Sequence, residues 1–456
     1  MNAKLILKAL LYVTALFSVS VEGKAIRKCI PKASKSAIAV PKIIVEFQDK
    51  VSGFDIDTFA IKTDHIEREI IDAYNTDASG KKQKGPSKYV ALEFTVKAAV
   101  IPSFGVSMGG EASPFTYDMD TGRNSWSTNY ELDLDLKEGK SFKVGKLEYG
   151  GDKKVWKTFK YNLADNYVVP ETKEWKKDSF TAHCITLQRA SFTPKGVEKD
   201  GGKNPLVIWL HGAGEGGRDI DITLLGNEVT ALAKEGIQKY FISDDLKGAY
   251  VLAVQTPTMW MDRGNSAYNN DISAIKDYVA NNSDIDTDRI YIGGCSNGGY
   301  MTMNMMFEHG DFFTAFYPIC EAYMDRNISE DMIEDIKDYN IWFLHSEDDT
   351  TVDPLATSIS TYYRLMNAGA KNVHYTLTDH VIGTDDPEVQ YMGHYSWVYA
   401  FNDQVKKQFD NAKVVADFEN ITIKDGKVTT TDNYVTNANC SKDGNMWSWL
   451  ASQRKN

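Results

Sequence analysis

Residues Arg289 to Met301 read RIYIGGCSNGGYM. An apolar pulse, Ile290-Tyr291-Ile292, runs into Gly293-Gly294-Cys295-Ser296-Asn297-Gly298-Gly299, and a helix-like Tyr300-Met301-Thr302-Met303 follows. Strand, tight turn and helix in that order is the setting in which G-x-S-x-G marks a nucleophile elbow. A serine at the apex of so sharp a turn sits in strained backbone space, and the positions two residues to either side cannot carry a bulky Cβ. Gly294 and Gly298 occupy those positions. The turn lifts the Ser296 hydroxyl clear of the sheet and aims the first amides of the following helix at a reacting centre. The pattern alone recurs by chance in about one chain of this length in six, so its weight depends on the partners supplied elsewhere.

The surrounding rhythm suits the motif. From 179 onward, strand-like runs (HCITLQRASF, PLVIWL, AYVLAVQ, RIYIGG, FTAFYPIC, YNIWFLH, NVHYTLT) alternate with helical ones (NEVTALAKEGIQKYF, AYNNDISAIKDYVANN, GYMTMNMMFEH, LATSISTYYRLMNAG). VIWL and VLAV are continuously apolar, as strands buried on both faces must be. Strand–helix alternation predicts a doubly wound, mostly parallel sheet, the α/β-hydrolase fold. A hairpin is expected as an insertion at about 412–436, turning at Asp425-Gly426.

Serine is a poor nucleophile until an imidazole takes its proton and a carboxylate orients that imidazole. In this fold the chain order is serine, acid, histidine. After YNIWFL comes HSEDDTTV, which places Asp349 in the loop following a late strand, with Asp348 and Asp353 as rivals. Three histidines follow: His374 inside a strand-like run, His380 just after it, and His394 in GHYSW. Spacing does not choose between His380 and His394. The run LVIWL ends in His211-Gly212-Ala213-Gly214-Glu215-Gly216-Gly217, a glycine-rich loop able to expose backbone amides to an oxyanion. No GK[ST] follows it and no G-x-G-x-x-G opens a helix there, so a nucleotide loop is not indicated. The amides of Ala213 and Asn297 are the expected oxyanion pair, with Gly214 the alternative to Ala213. Trp260, following a strand on the same side of the sheet, is a candidate pocket wall.

The first part of the chain reads differently. Over 38–165 short alternating runs follow one another without intervening helices, which predicts an all-β sandwich; IEREIIDAY after His65 is expected as a helical insertion. A polar linker is expected at 166–178. Residues 1–25, with Lys4 and Lys8 around an apolar run and small residues near Gly23, read as a secretory signal peptide rather than a membrane span. A net charge of −12 over 456 residues argues against nucleic-acid or anionic-membrane partners. The five cysteines fit no metal or redox spacing, and Cys295 and Cys320, in apolar surroundings, are expected as buried thiols.

LVIWLHGAGEGG, AYVLAVQTPTMW, DRIYIGGCSNGGYMTM, IWFLHSEDDTTV, GHYSW and WSWLASQ together resemble the secreted esterases and predicted peptidases related to polyhydroxybutyrate depolymerases and feruloyl esterases. Some of those carry an immunoglobulin-like domain in front. The resemblance covers roughly Phe180 to the C-terminus. It implies a serine carboxylic-ester hydrolase without cofactor or metal, acting on acetyl, feruloyl or other short-chain or aryl esters, some of them on plant polysaccharide. It also implies that the acid is Asp349, from an H-x-x-x-D-x-x-V pattern, and the base His394, from an H-x-x-W pattern with Trp397, itself expected at the substrate pocket. The sequence departs from the family at Gly216, where arginine is frequent, and at Glu321, where glycine is common; Glu321 is therefore expected at the substrate pocket. A peptidase of the same fold and a non-catalytic binding protein are the competing expectations.

Overall fold

The computed structural model describes residues 26–33, 38–101, 105–150, 157–165, 169–197, 202–262, 267–384, 387–416, 421–424, 427–430 and 441–455. The expected signal peptide lies outside these residues. Among them, no helix is long and apolar enough to cross a membrane.

An eight-stranded sheet forms the second part of the chain: β1 (Lys176–Ala182), β2 (Ile185–Phe192), β3 (Asn204–Leu210), β4 (Tyr250–Gln255), β5 (Ile285–Cys295), β6 (Ala315–Ile319), β7 (Ile341–Ser346) and β8 (Val373–Thr378). Their order is β1-β2-β4-β3-β5-β6-β7-β8. The β1–β2 and β2–β4 pairs are antiparallel and every later pair is parallel. This is the α/β-hydrolase arrangement. Every residue of β3, β4 and β7 is buried, because alternate side chains enter two different cores. Leu206, Ile208 and Leu210 pack with Ile290, Ile292, Phe343 and the helices Ala267–Ala280 and Asn297–His309. Val207 and Trp209 pack with Tyr317, Trp342 and the helices Trp397–Phe401 and Met446–Ser452. A sheet dressed on both faces leaves the ends of its strands as the open ground, and the loops after β3, β5 and β7 meet at one such edge.

The preceding region is all-β. Six strands make one antiparallel sheet and four make another, and Ile43, Val45, Leu92, Phe59, Ile61 and Leu132 fill the core between them. The helix expected after His65 is absent. Ile66–Arg68 pairs with Phe59–Thr63, and Ile70–Thr76 pairs with Ser87–Phe94. Arg68 explains the change: its guanidinium is buried, donating to Thr63 Oγ1 at 2.8 Å and the Thr95 carbonyl at 2.6 Å, contacts available only across strands. The stretch expected as a linker contains a 3-10 turn, Pro170–Thr172, and the first residues of β1. The late hairpin is present as Ile421–Lys424 paired with Lys427–Thr430, its Asp425-Gly426 turn lying outside the described residues.

The two parts are joined by shared structure. Ile222 and Leu225 of the second part complete the core of the first. Val106–Gly110 pairs in parallel with Gln390–Tyr391 through Ser107 and Tyr391, and Met392 N donates to Ser107 O at 3.0 Å. The segment leading into His394 is therefore a strand of a small sheet built partly from the N-terminal region.

The elbow rests on glycine where backbone approaches closely, most tightly at Gly298. A methyl group on Gly298 would lie 2.0 Å from Leu210 O and 2.6 Å from His211 O, both backbone atoms that cannot step aside. Gly298→Ala is expected to destabilise the fold by about 1–3 kcal/mol, the usual range of overpacking. Urea unfolding of the variant against the parent measures it, and unchanged stability would mean that helix and glycine loop are not pressed together as described.

Candidate active site

Ser296 caps the helix Asn297–His309 at φ 55° and ψ −116°, a conformation a non-glycine residue adopts only when its surroundings hold it there. They do so with backbone bonds: Ser296 N donates to Ile319 O at 3.0 Å, and Ser296 O accepts from Tyr300 N at 2.8 Å. Its hydroxyl makes no hydrogen bond to another described residue.

Asp349 is buried in the loop after β7 and accepts four hydrogen bonds. Oδ1 takes the amides of Thr351 at 2.8 Å and Val352 at 2.9 Å; Oδ2 takes His394 Nδ1 at 2.7 Å and His345 Nε2 at 3.0 Å. Burial alone would push this carboxyl up, but the bonds from His345 and His394, with their charges, hold it well below the ordinary carboxylate range. His345 is itself fully buried, its other nitrogen on Ser358 Oγ at 2.7 Å, and burial lowers its pKa despite Asp349. It anchors the acid from behind.

The rivals separate cleanly. Asp348 pairs with His380 at 3.0 Å in a surface contact, the imidazole half exposed, and also accepts from Ser346 Oγ at 2.6 Å. Among the described residues the Asp353 carboxylate accepts from its own loop's Leu355 amide alone. His374 bridges Gln408 and Asn372 and stacks on Trp342, as a strand-face residue would.

The glycine loop after β3 turns through a short 3-10 segment, Ala213–Glu215. The Ala213 amide finds no acceptor among the described residues, and Asn297, as the first helical residue, has an amide without an intrahelical acceptor. Trp260 ties the two loops: its backbone N donates to Asn297 Oδ1 at 2.6 Å and its ring N–H to His211 O at 3.0 Å. The expectation of Trp260 as a pocket wall is corrected by this geometry, because the side chain is fully buried beneath the loops. His211, also buried, accepts from Thr256 N at 3.1 Å through Nε2, so its proton sits on Nδ1 towards Gly212 O; burial drives its pKa down to about 4.

Glu321 requires a similar correction. It is fully buried, packed so closely on the elbow helix that a methyl on Gly299 would sit 2.7 Å from its Cα. Oε2 accepts from Tyr323 N at 2.6 Å, and Oε1 has no partner among the described residues. Trp397, expected at the pocket, is instead largely buried and meets the His394 ring edge-on, centroids 5.8 Å apart at 88°. Cys295 and Cys320 are fully buried free thiols, as expected from their surroundings.

His345 is the histidine of the H-x-x-x-D-x-x-V pattern, whose contact with Asp349 the pattern alone did not specify. Two residues at the site carried no local signal. Tyr117 and Asn124, from a two-stranded ribbon of the N-terminal region (Phe115–Asp118 with Arg123–Trp126), lie against Gly214. Nothing in the sequence around them points 90 residues downstream to Glu215, whose Oε1 accepts from Asn124 Nδ2 at 3.3 Å.

Residues 258–417 match the sequence signature of the Prolyl oligopeptidase family, Peptidase_S9. No curated protein sequence matches the chain. Among solved structures, the chain is similar to a thermostable esterase at 22% identity, covering 83% of this chain and 96% of that one, TM-score 0.61. It is also similar to a ferulic acid esterase (15% identity, 50% and 93% covered, TM-score 0.39). An acylaminoacyl peptidase from Pyrococcus horikoshii aligns at 14% identity, over 87% and 64% of the two chains, with a TM-score of 0.37. The first of these likenesses agrees with the α/β-hydrolase fold.

Glu321 also sets a pH dependence. Burial raises its carboxyl, the Tyr323 N–H opposing and the Asp325 charge adding, to about 8. A folded pKa above the unfolded one means its contribution is fully present below about 4.5 and lost as pH rises towards 8. Glu321→Gln, a neutral isostere, is expected to match the parent's melting temperature at pH 4 and to exceed it increasingly between pH 5 and 8. Melting curves across that range test this, and a constant difference would assign Glu321 no such role.

Proposed function

We propose that this chain is a serine hydrolase of carboxylic esters. The observation that carries the reading is the 2.7 Å bond between His394 Nδ1 and Asp349 Oδ2, made at the same edge of the sheet as the strained Ser296 elbow. With Nδ1–H committed to the carboxylate, Nε2 is the acceptor, as a general base requires. Ser296 Oγ attacks the ester carbonyl as its proton passes to His394 Nε2. The developing imidazolium is stabilised by Asp349, whose four bonds keep it ionised. The amides of Ala213 and Asn297 receive the oxyanion. Collapse releases the alcohol, protonated by His394, and leaves an acyl group on Ser296; water activated by the same imidazole then frees the acid. Acetyl, feruloyl and other short-chain or aryl esters, including those borne on polysaccharide, are the proposed substrate class, on the resemblance of the motifs.

A peptidase is the second reading, favoured by the Prolyl oligopeptidase match over 258–417. The same residues would act, with a more basic leaving group to protonate. On the N-terminal run alone we also place the protein outside the cell; N-terminal sequencing of secreted material starting near Ala25 would support this, and an intact Met1 would refute it.

A fluorophosphonate probe is expected to label the parent and not Ser296→Ala; equal labelling of both would remove the catalytic claim. His394→Ala is expected to lower kcat by about 1,000-fold or more, while His380→Ala stays within about twofold. Turnover of p-nitrophenyl acetate against chromogenic peptides ranks the two readings, and peptide cleavage without ester cleavage would reverse them.

A further inference from the structure

The ribbon from the N-terminal region turns one face towards the glycine loop. In its register Phe115 is opposite Trp126 and Tyr117 is opposite Asn124, so these four side chains share a face. At the inner end the face is anchored. Trp126 is buried, its ring N–H on Asp219 Oδ2 at 2.8 Å, and it meets Phe115 edge-on at 4.8 Å. At the turn end, on the other face, Arg123 donates to Pro257 O at 2.8 Å, and on the shared face Asn124 donates to Glu215. Along the strand the same face then emerges from burial. A methyl on Gly214 would lie 2.8 Å from Asn124 Nδ2 and 3.8 Å from the Tyr117 ring, yet Tyr117 remains 51% exposed.

An aromatic ring fixed by strand pairing, touching the expected oxyanion loop and left open to solvent, is unspent binding surface. Near its hydroxyl end the ribbon turn meets a methionine. A methyl on Gly122 would strike Met259 Cε at 2.5 Å, so the ribbon turn and the loop after β4 touch, and Met119 and Met261 are exposed nearby in sequence on each. Tyr395, next to His394, has its phenol raised first by burial and then by the proximity of Glu215 and Tyr117. The Tyr117 ring thus lies on the glycine loop and in the neighbourhood of the residue following the expected base.

We propose that the ribbon at 115–126 forms a substrate subsite over the glycine loop, in which the face of Tyr117 stacks on an aryl group carried by the ester. A planar group gains offset stacking on the tyrosine and contact with methionine sulfur, which a short alkyl chain does not. The inference rests on the ester-hydrolase reading and names the part of the substrate that the N-terminal region would hold.

The experiment compares kcat/KM on three substrates: a methyl hydroxycinnamate (aryl acyl group), 4-nitrophenyl acetate (aryl leaving group) and methyl butyrate (neither). Tyr117→Ala is expected to lower the ratio of at least one aryl substrate to methyl butyrate by about tenfold, and which one falls identifies the side bound. Tyr117→Phe, which keeps the ring face, is expected to hold the ratio within about twofold. Unchanged ratios in Tyr117→Ala, or an equal fall in Tyr117→Phe, would overturn the subsite while leaving the esterase reading intact. A parent protein that turns over none of the three would overturn the esterase reading, and the subsite's ligand class with it.

Discussion

The second part of the chain depends on one steric constraint, the contact between the start of the elbow helix and the end of β3. Gly298 lies against the carbonyls of Leu210 and His211 with no room for a Cβ. That contact brings the first amides of the helix beside the glycine loop and forces the chain through the strained turn at Ser296. Trp260 then fastens both sides with its two N–H groups. The strain at Ser296 is local, but the atoms that balance it belong to β3, β6 and the loop after β4.

A second device governs the acid. Two backbone amides and two imidazoles converge on Asp349, so neither oxygen is free to rotate towards solvent. Asp348, one residue earlier, has the same side chain and also pairs with a histidine, yet its pair sits at the surface. Burial and the number of donors, rather than residue type, distinguish the two.

Much of this was legible in the sequence because it is local. The elbow is a five-residue pattern, the strands of the large sheet are contiguous apolar runs, and the glycine loop directly follows one of them. Asp349 could be placed by its position after a strand. His394 could not be chosen over His380 by spacing, since both lie in loops after β8, and only the resemblance favoured it. What stayed illegible is non-local. IEREIIDAY has helix-like apolar spacing, and strand pairing overrode it by giving Arg68 its partners. Trp260 and Glu321 were placed correctly along the chain, but their side chains turn under the loops instead of into the cleft. The ribbon at 115–126 reads as one more hairpin until Gly214 is seen against it.

The parallel pairing of Ser107 with Tyr391 joins residues 284 positions apart, three residues before His394. A contact of such span closes a very long loop, and loop closure must be overcome before the contact repays it. The large sheet, made mainly of neighbouring βα units, can assemble from shorter-range pieces. The histidine's segment is therefore expected among the last to settle, after both halves of the chain have their cores. Competence would then be conferred at the end of folding, and a chain still being completed would hold its serine in place while the imidazole remained elsewhere.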